Sequence, residues 1–441
     1  MRSRTAIRML STLLILVSTA SLRGQDSRPD EWLEAVLGAA RFLEREAIET
    51  PDGLAWPRLA GDKATLDRDL YAGSAGVVFF MANLARTDLH PKAAEIARRG
   101  AADLAAHFTD CEGAGLYEGL AGRVFAVSKT AEALGDRALA AKAADGLRLL
   151  VARAVRTGDR LAWNESNDII SGTAGIGLVL LELARDDVRE LAHQAADGAG
   201  RELVARGERS KDGLFWKMTD RTPRLMPNFS HGTAGVAYFL ARLGEETKLE
   251  AAKTAAARGA IHLLGIADTA SGGIRIAHHT PGGEALYYVG WCHGPAGTAR
   301  LFDLMHRTTG DRNWLVAVKR AAAFIASSGF LEGRAEGLWK NPGYCCGLAG
   351  VAQFLADWGR IAGGADATDL STATLRALLD GAERTAASWN WKTAEHRTRP
   401  DEITVQCGFM QGAAGIGAVL LDAYARKNRL PRCMRLPDDP F

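Results

Sequence analysis

Two glycine-rich turns carry the residues with the most evident chemistry in this chain. The segment Gly343–Gly350 holds two adjacent cysteines, Cys345 and Cys346, and an apolar stretch follows it directly. The segment Gly290–Gly297 is a similar turn with one cysteine, Cys292. Three thiolates are soft ligands that suit a zinc ion with one coordination position left open, and open zinc sites are usually catalytic. The sequence therefore predicts Zn²⁺ bound by Cys292, Cys345 and Cys346, provided that the fold brings the two turns together.

The same local pattern, Gly-x-Ala-Gly followed by an apolar run, occurs seven times along the chain. The first glycines of the turns lie 46 to 65 residues apart, at Gly73, Gly119, Gly172, Gly232, Gly294, Gly347 and Gly412. A local signature that returns at such a period marks repeated supersecondary units. The apolar runs predict buried inner helices, and the charged, alanine-rich segments between them predict amphipathic outer helices.

Seven inner and seven outer helices in alternation predict an all-α fold, an α/α toroid in which the outer ring covers the inner ring. We predict the outer helices at residues 31–47, 91–108, 138–155, 187–206, 248–264, 312–328 and 369–389. All seven turns then lie at one end of the ring, which brings the three cysteines together. The glycines are expected to permit sharp turns and close approach of neighbouring inner helices. An open superhelical solenoid is the alternative arrangement of the same repeats.

Composition narrows the classes of function. The 441 residues carry 54 basic and 52 acidic side chains, a net charge of +2, so no basic excess indicates a nucleic-acid partner. The hydrophobic fraction of 47% is ample for a packed core. No linker or charge block divides the repeats, so we expect one domain over residues 25–441, and we expect it to be a monomer.

The first residues are typical of a secretory signal peptide. Arg2, Arg4 and Arg8 form a positive region, the apolar run Met9–Val17 follows, and small residues come next. We predict a signal peptide over residues 1–24, with cleavage between Ala20 and Gln25. The mature protein is then exported to the periplasm or the medium, without stable insertion in a membrane.

Export and a thiolate site make opposite demands on the cysteines. In exported proteins an even number of cysteines normally indicates disulfides. The chain has six, and a bridge between the adjacent Cys345 and Cys346 would close a strained ring. We therefore favour the metal site. Cys111, Cys407 and Cys433 are expected to be free thiols, or to include a disulfide pair formed after export.

The residues around turns four to seven resemble the lanthionine synthetase C-like family, which comprises the lanthipeptide cyclases and their eukaryotic relatives. The resemblance rests on Asn-Phe-Ser-His-Gly-Thr-Ala-Gly at 228–235, Gly-Trp-Cys-His-Gly-Pro-Ala-Gly at 290–297, Cys-Cys-Gly-Leu-Ala-Gly at 345–350 and Phe-Met-Gln-Gly-Ala-Ala-Gly-Ile-Gly at 409–417. It extends over essentially the whole predicted mature chain and implies the same toroid of seven inner and seven outer helices.

The resemblance also implies an activity, a zinc-dependent addition of a thiol to dehydroalanine or dehydrobutyrine that forms a thioether. His231 matches the family's catalytic histidine, and Asp168 matches an acidic residue near the site. The family's zinc ligands are the cysteine of turn five and a Cys-His pair on turn six. Turn six here reads Cys345-Cys346, which is closer to a three-cysteine variant and should make a bound thiolate more nucleophilic. The implied partners are a dehydrated peptide, a small thiol, or both.

Two other classes of function remain open, a noncatalytic zinc-stabilised protein that binds peptides or thiols, and a glycan-active α/α barrel. The second would need paired carboxylates across its cavity, and Asp168 is the one acidic residue that we place on a turn for this role. Asp168 could instead hydrogen-bond its own turn. We expect His293 to cap the helix that follows it, Trp291 and Tyr344 to pack within their turns, and His278 and His279 to lie on a solvated loop.

Overall fold

The structure, a computed structural model, describes residues 30–270, 272–339, 341–362 and 365–441. The predicted signal peptide lies outside the described residues. Over the described part of the chain, inner and outer helices alternate. The outer helices are α1 (Glu31–Glu46), α3 (Ala93–Ala106), α5 (Arg137–Ala152), α7 (Arg189–Arg206), α9 (Glu250–Ile266), α11 (Arg312–Ser327) and α13 (Ala365–Asp380). The inner helices are α2 (Ser74–Ala85), α4 (Leu120–Leu134), α6 (Thr173–Glu182), α8 (Thr233–Thr247), α10 (Pro295–Thr309), α12 (Leu348–Ala362) and α14 (Ala413–Asn428).

The inner helices form a closed ring. Each contacts the next one along the chain, and the last, α14, contacts the first, α2. Each later outer helix packs on the inner helix that precedes it, whereas α1 packs on α14 and so joins the beginning of the described chain to its end. The inner helices are buried over most of their surface because the outer ring covers them. The toroid is confirmed, and the open solenoid is excluded.

Backbone hydrogen bonds between successive turns close a second ring at one end of the toroid. Each N–H donates to a carbonyl of the next turn at 2.9–3.2 Å: Tyr71 to Tyr117, Tyr117 to Ile170, Ile169 to Ser230, Ser230 to Cys292, Cys292 to Cys345, Cys345 to Met410, and Met410 to Tyr71. Every inner helix begins directly after its turn, so seven helix N-termini converge on this face. Their positive ends favour anions, including thiolates.

The turn glycines permit the sharp turn that we expected, but the close approach that they allow is a different one. A Cβ on Gly297 would lie 1.9 Å from the carbonyl oxygen of Trp291, six residues earlier. The same contact recurs at the second glycine of the other turns, for example 2.0 Å from Gly175 to the Ile169 oxygen. The close approach is therefore to the turn's own backbone, and not mainly between neighbouring inner helices.

The described residues also contain ten short strands, which we did not predict from the sequence. They are β1 (Ile48–Thr50), β2 (Gly53–Pro57), β3 (Leu66–Asp67), β4 (Val155–Thr157), β5 (Arg160–Ala162), β6 (Glu208–Arg209), β7 (Leu214–Phe215), β8 (Ala382–Arg384), β9 (Trp389–Ala394) and β10 (Ile403–Val405). All their pairings are antiparallel, in the orders β1-β2-β3, β4-β5, β6-β7 and β10-β9-β8. The predicted outer helix at 369–389 is wrong at its end, because α13 stops at Asp380 and the chain turns into β8 and β9.

Four tryptophans fix these hairpins to the ends of the outer helices. Each donates its indole N–H to a leucine carbonyl thirteen residues earlier, at 2.7–2.8 Å: Trp56 to Leu43, Trp163 to Leu150, Trp216 to Leu203, and Trp391 to Leu378. The carbonyls belong to the last turn of an outer helix, where they have no partner within the helix. A tryptophan thirteen residues after a leucine is therefore a repeat signature that the sequence analysis missed.

The segment 429–441, which follows α14, lies within the inner ring. Its Asp438 is fully buried and accepts hydrogen bonds from the Tyr117 hydroxyl at 3.0 Å and the Trp291 indole at 2.9 Å. Arg300 of α10 is also fully buried and donates to the Asp438 carbonyl at 3.1 Å and to the Tyr344 hydroxyl at 2.8 Å. Through these contacts the segment stabilises the turns that carry Cys292 and Cys345.

None of the helices in the described residues has the length and apolar character that a membrane span requires.

Candidate metal centre

The closed ring of turns brings the three predicted ligands together, although the chain separates Cys292 from the pair by more than fifty residues. The sulfur of Cys346 lies 3.1 Å from that of Cys292 and 3.5 Å from that of Cys345. All three sulfurs lie within 4.8 Å of one another. Cys292 and Cys345 are buried, while Cys346 is half-buried at the mouth of the site. All six cysteines are free thiols, so neither the Cys345–Cys346 bridge nor a disulfide among Cys111, Cys407 and Cys433 is present.

The donor set fits a zinc ion. Sulfurs bound at about 2.3 Å in a tetrahedron are about 3.8 Å apart, close to the spacing that these turns impose. Hydrogen bonds from the Cys292 and Cys346 thiols hold the pKa of Cys345 well below its usual range, whereas burial raises the pKa of Cys292. A bound zinc ion would displace the thiol protons that form these hydrogen bonds, because metal-bound thiols are deprotonated. The residues that could hold the metal are Cys292, Cys345 and Cys346.

Two residues from turns one and seven support the sulfurs, and sequence reasoning assigned neither a role. The Tyr71 hydroxyl faces the Cys345 sulfur and contributes to lowering the pKa of that thiol. Gln411 donates to that hydroxyl at 3.2 Å, and its amide nitrogen lies 4.0 Å from the Cys346 sulfur. Asn341 fixes Gln411 by donating to its side-chain oxygen at 2.8 Å. A signal was present, since Gln411 precedes its glycine directly, as Cys346 and His231 precede theirs.

His231 and Asp168, the two predicted catalytic residues, are hydrogen-bonded to each other. The His231 Nδ1 lies 2.7 Å from Asp168 Oδ2. Asp168 is fully buried, and its Oδ1 accepts the N–H groups of Ser171 at 3.0 Å and Gly172 at 2.8 Å. The aspartate therefore both holds its own turn and orients the imidazole.

The surroundings of His231 favour its charged form. Burial lowers the pKa of the imidazole, but the hydrogen bond to Asp168 and the charge of that residue outweigh it, so the pKa is raised above its ordinary value. The charge of Cys345 acts in the same direction. The side chain remains a quarter exposed. His231 can therefore hold a proton close to the sulfur cluster and exchange it with a substrate.

A second aspartate occupies the equivalent position on turn one and was not noticed in the sequence. Asp69 lies four residues before Gly73, as Asp168 lies four residues before Gly172. Its Oδ1 accepts the N–H groups of Ala72 at 2.6 Å and Gly73 at 3.2 Å. Burial and the neighbouring charge of Asp67 raise the pKa of Asp69 to about 7. Asp69 therefore bonds its own turn as Asp168 does, and no histidine among the described residues bonds its carboxylate.

The other histidines for which we made predictions, His278, His279 and His293, do not have the surroundings that we expected. Helix α10 has no side-chain cap, so His293 does not cap it. His293 is buried, and its ring lies 5.5 Å from that of His231, between centroids. His278 and His279 lie on the loop between α9 and α10, but His278 is half-buried and stacks on His293 at 4.0 Å, and His279 is buried. In contrast, Trp291 and Tyr344 pack within the turns as expected.

Comparison with known proteins decides the family. The family model described as "Lanthionine synthetase C-like protein" matches residues 64–435. The chain belongs to the lanthionine synthetase C-like family. Comparison with curated protein sequences gives no match.

Solved structures share the fold of this lanthionine synthetase C-like chain at low identity. Nisin cyclase is similar with a TM-score of 0.59 and 15% identity, over 89% of this chain and 93% of that one. An unsaturated glucuronyl hydrolase specific for heparin is similar with a TM-score of 0.50 and 12% identity, over 91% and 99%. The Lin0763 protein from Listeria innocua also has a TM-score of 0.50, at 11% identity, over 92% and 99%. At such identities the likeness concerns the toroid alone.

Proposed function

We propose that this chain catalyses the addition of a thiol to the β-carbon of a dehydroalanine or dehydrobutyrine residue in a peptide, with zinc held by Cys292, Cys345 and Cys346. The observation that carries the proposal is the sulfur triad on turns five and six of a lanthionine synthetase C-like toroid, beside the Asp168–His231 pair. The product is a thioether. The substrate thiol belongs either to a cysteine of the same peptide or to a small molecule.

The chemistry of each group follows from its surroundings. A bound zinc ion supplies a Lewis acid that keeps the substrate thiol deprotonated at neutral pH. The substrate sulfur bonds to Cβ, and the electron pair of the C=C bond moves toward the neighbouring carbonyl. His231, oriented through Nδ1 by Asp168, donates a proton to Cα and later recovers the proton that the thiol released. The reaction adds S and H across one double bond, so it needs no oxidant or reductant.

The test is the conversion of a synthetic peptide that contains dehydroalanine by the zinc-loaded protein in the presence of a small thiol. We expect a mass gain of one thiol per dehydroalanine, and a loss of roughly a hundredfold or more in rate for His231→Ala at unchanged zinc content. His193→Ala, on the outer helix α7, is the matched control and should keep the rate. Zinc and peptide binding without a thioether product would favour the noncatalytic alternative instead.

We also propose that the chain is exported, on the strength of its first residues alone. The native protein should begin between residues 21 and 25 after cleavage. N-terminal sequencing of protein from its own cell measures this directly. A native N-terminus at Met1 would contradict export through a cleaved signal.

A further inference from the structure

A cleft of about 490 Å³ opens beside Cys346, at the mouth of the candidate metal centre. One wall is formed by the loop between α9 and α10, which contributes His278, His279 and Tyr288. Other walls contribute Trp339 and the segment that follows β9. A substrate that reaches the sulfurs from this side must lie in the cleft, so its lining selects what can react.

The charged groups of the lining are mainly cationic. Arg224 and Arg397 face the cleft from two different loops. Among the described lining residues Glu395 is the one carboxylate, and Arg58 pairs with it through both carboxylate oxygens. Arg397 has an ion pair with Glu336 at 3.4 Å, but Glu336 is 73% exposed, so water screens this contact. Arg224 is exposed and forms no ion pair with any described residue. The cleft therefore has positive charge that its own carboxylates do not balance.

His293 gives an independent sign that a ligand belongs here. Its side chain lines the cleft and is 8% exposed, yet neither ring nitrogen has a hydrogen-bond partner among the described residues. His278 stacks on its face at 4.0 Å and leaves the nitrogens at the ring edge unpaired. A buried polar group without a partner costs free energy, which a ligand in the cleft would recover. The site is thus built to receive a polar group beside the reacting centre.

We propose that the cleft binds a carboxylate of the substrate, with Arg224 and Arg397 as its charge partners and His293 as a hydrogen-bond donor to the adjacent substrate backbone. The inference rests on the proposed function and specifies its substrate class. The carboxylate belongs either to the dehydrated peptide, as an acidic residue near the dehydroalanine, or to the thiol. Arginine suits this role because its planar group can make two parallel hydrogen bonds to a carboxylate.

The experiment separates the two sources of the carboxylate. In one arm, dehydroalanine peptides with a neighbouring Glu, Gln or Lys react with the neutral mercaptoethanol. In the other, the Gln peptide reacts with mercaptopropionate or mercaptoethanol. We expect a preference in one of the two arms. There kcat/KM should be about tenfold higher for the substrate that bears the carboxylate, mainly because its KM is lower. The preference should weaken at high salt.

Variants tie the preference to the cleft. The double variant Arg224→Ala/Arg397→Ala should abolish the preference for the carboxylate. The control variant Arg201→Ala, which replaces an exposed arginine on α7, should preserve the preference. Equal kcat/KM values within both arms, or a preference that the double variant retains, would overturn the proposal.

A binding measurement keeps this test distinct from that of the proposed function. The same Glu, Gln and Lys peptides with alanine in place of dehydroalanine cannot react, but they can bind, as mercaptopropionate can. Tighter binding of the Glu peptide or of mercaptopropionate, lost in the double arginine variant, would support the cleft assignment even if no thioether forms. Thioether formation without any charge preference would support the proposed function and contradict the cleft assignment. The absence of both binding and reaction would contradict the cleft assignment and the proposed function together.

Discussion

Asp168 and His231 illustrate how burial and hydrogen bonding define a role at the scale of single residues. The carboxylate is fully buried, yet every contact that compensates this burial is present, because two turn N–H groups bond one oxygen and His231 bonds the other. The imidazole is oriented through Nδ1, which leaves Nε2 as the atom that can exchange a proton with a substrate. In the proposed reaction Asp168 is therefore a positioning residue, and His231 is the group that transfers the proton.

Replacing Asp168 with Asn should lower the pKa of His231, because the charge that raises it is removed. His231 must carry the proton that it donates to Cα, so the alkaline limb of the rate profile should move to lower pH. A raised folded-state pKa stabilises the fold below the unfolded pKa, and this stabilisation is lost as the pH rises through the folded value. The variant should lose that pH dependence as well. The pH–rate profile measures the shift of the alkaline limb, and an NMR titration of the histidines measures the pKa of His231. The exposed Asp145→Asn variant is the control.

The three cysteines and the Asp168–His231 pair could be found from sequence because their residue types stand at fixed positions before a repeated glycine. Tyr71 and Gln411 also stand at such positions before their glycines, but their residue types do not by themselves indicate a contact with the sulfurs. Their contacts with the sulfurs arise only when the ring closes and sets turns one and seven beside turn six. His278 and His279 were misplaced for a related reason. Their local sequence is polar and rich in turn residues, whereas His278 packs against His293 and Tyr288 and His279 packs against His278.

At the scale of elements, the glycine turns determine where the ligands lie. The second glycine of each turn rests against the carbonyl six residues earlier, so the backbone folds back on itself directly before the inner helix. The sequence predicted the inner helices well because apolar runs follow these turns. The end of the last outer helix was wrong, because the fixing of Trp391 to the Leu378 carbonyl is a tertiary contact that helical periodicity does not report.

Gly297→Ala should destabilise the protein by about 3 kcal/mol, since its Cβ would lie 1.9 Å from the Trp291 oxygen. The displaced turn carries Cys292, so metal affinity should fall as well. Gly265→Ala in α9 is the control, because the nearest atom to its Cβ would be 3.8 Å away, and it should be neutral or stabilising by a few tenths of a kcal/mol. Denaturant unfolding measures both. Equal stability of the two variants would argue against the turn geometry.

The whole molecule is a ring closed at two levels, by α1 packing on α14 and by the hydrogen bonds between turns. The segment 429–441 adds a third connection, because Asp438 joins turn two through Tyr117, turn five through Trp291 and the inner helix α10 through Arg300. The toroid was predictable from the repeats. The role of this segment was not, since it carries no repeat signature and its contacts reach across the ring.

Asp438→Ala should cost about 3–5 kcal/mol of stability, because it removes the carboxylate that lies 3.8 Å from the buried Arg300 guanidinium. Its effect should extend to turn five, which also loses the Trp291 hydrogen bond, and so to zinc retention. Glu332→Ala, at an exposed ion pair with Arg334, is the control and should change stability by less than about 0.5 kcal/mol. A stable Asp438→Ala protein with full metal content would show that the segment does not support the site.

The zinc content of native protein, purified without added metal or chelator, tests the central claim most directly. The sulfur triad predicts about one zinc per chain, and sharply less for Cys345→Ala, which removes one of the three ligands. Cys407→Ala, at a buried thiol outside the triad, should retain the metal. Native protein without zinc, with a mapped disulfide between Cys345 and Cys346, would contradict both the metal centre and the thiol-addition activity that depends on it.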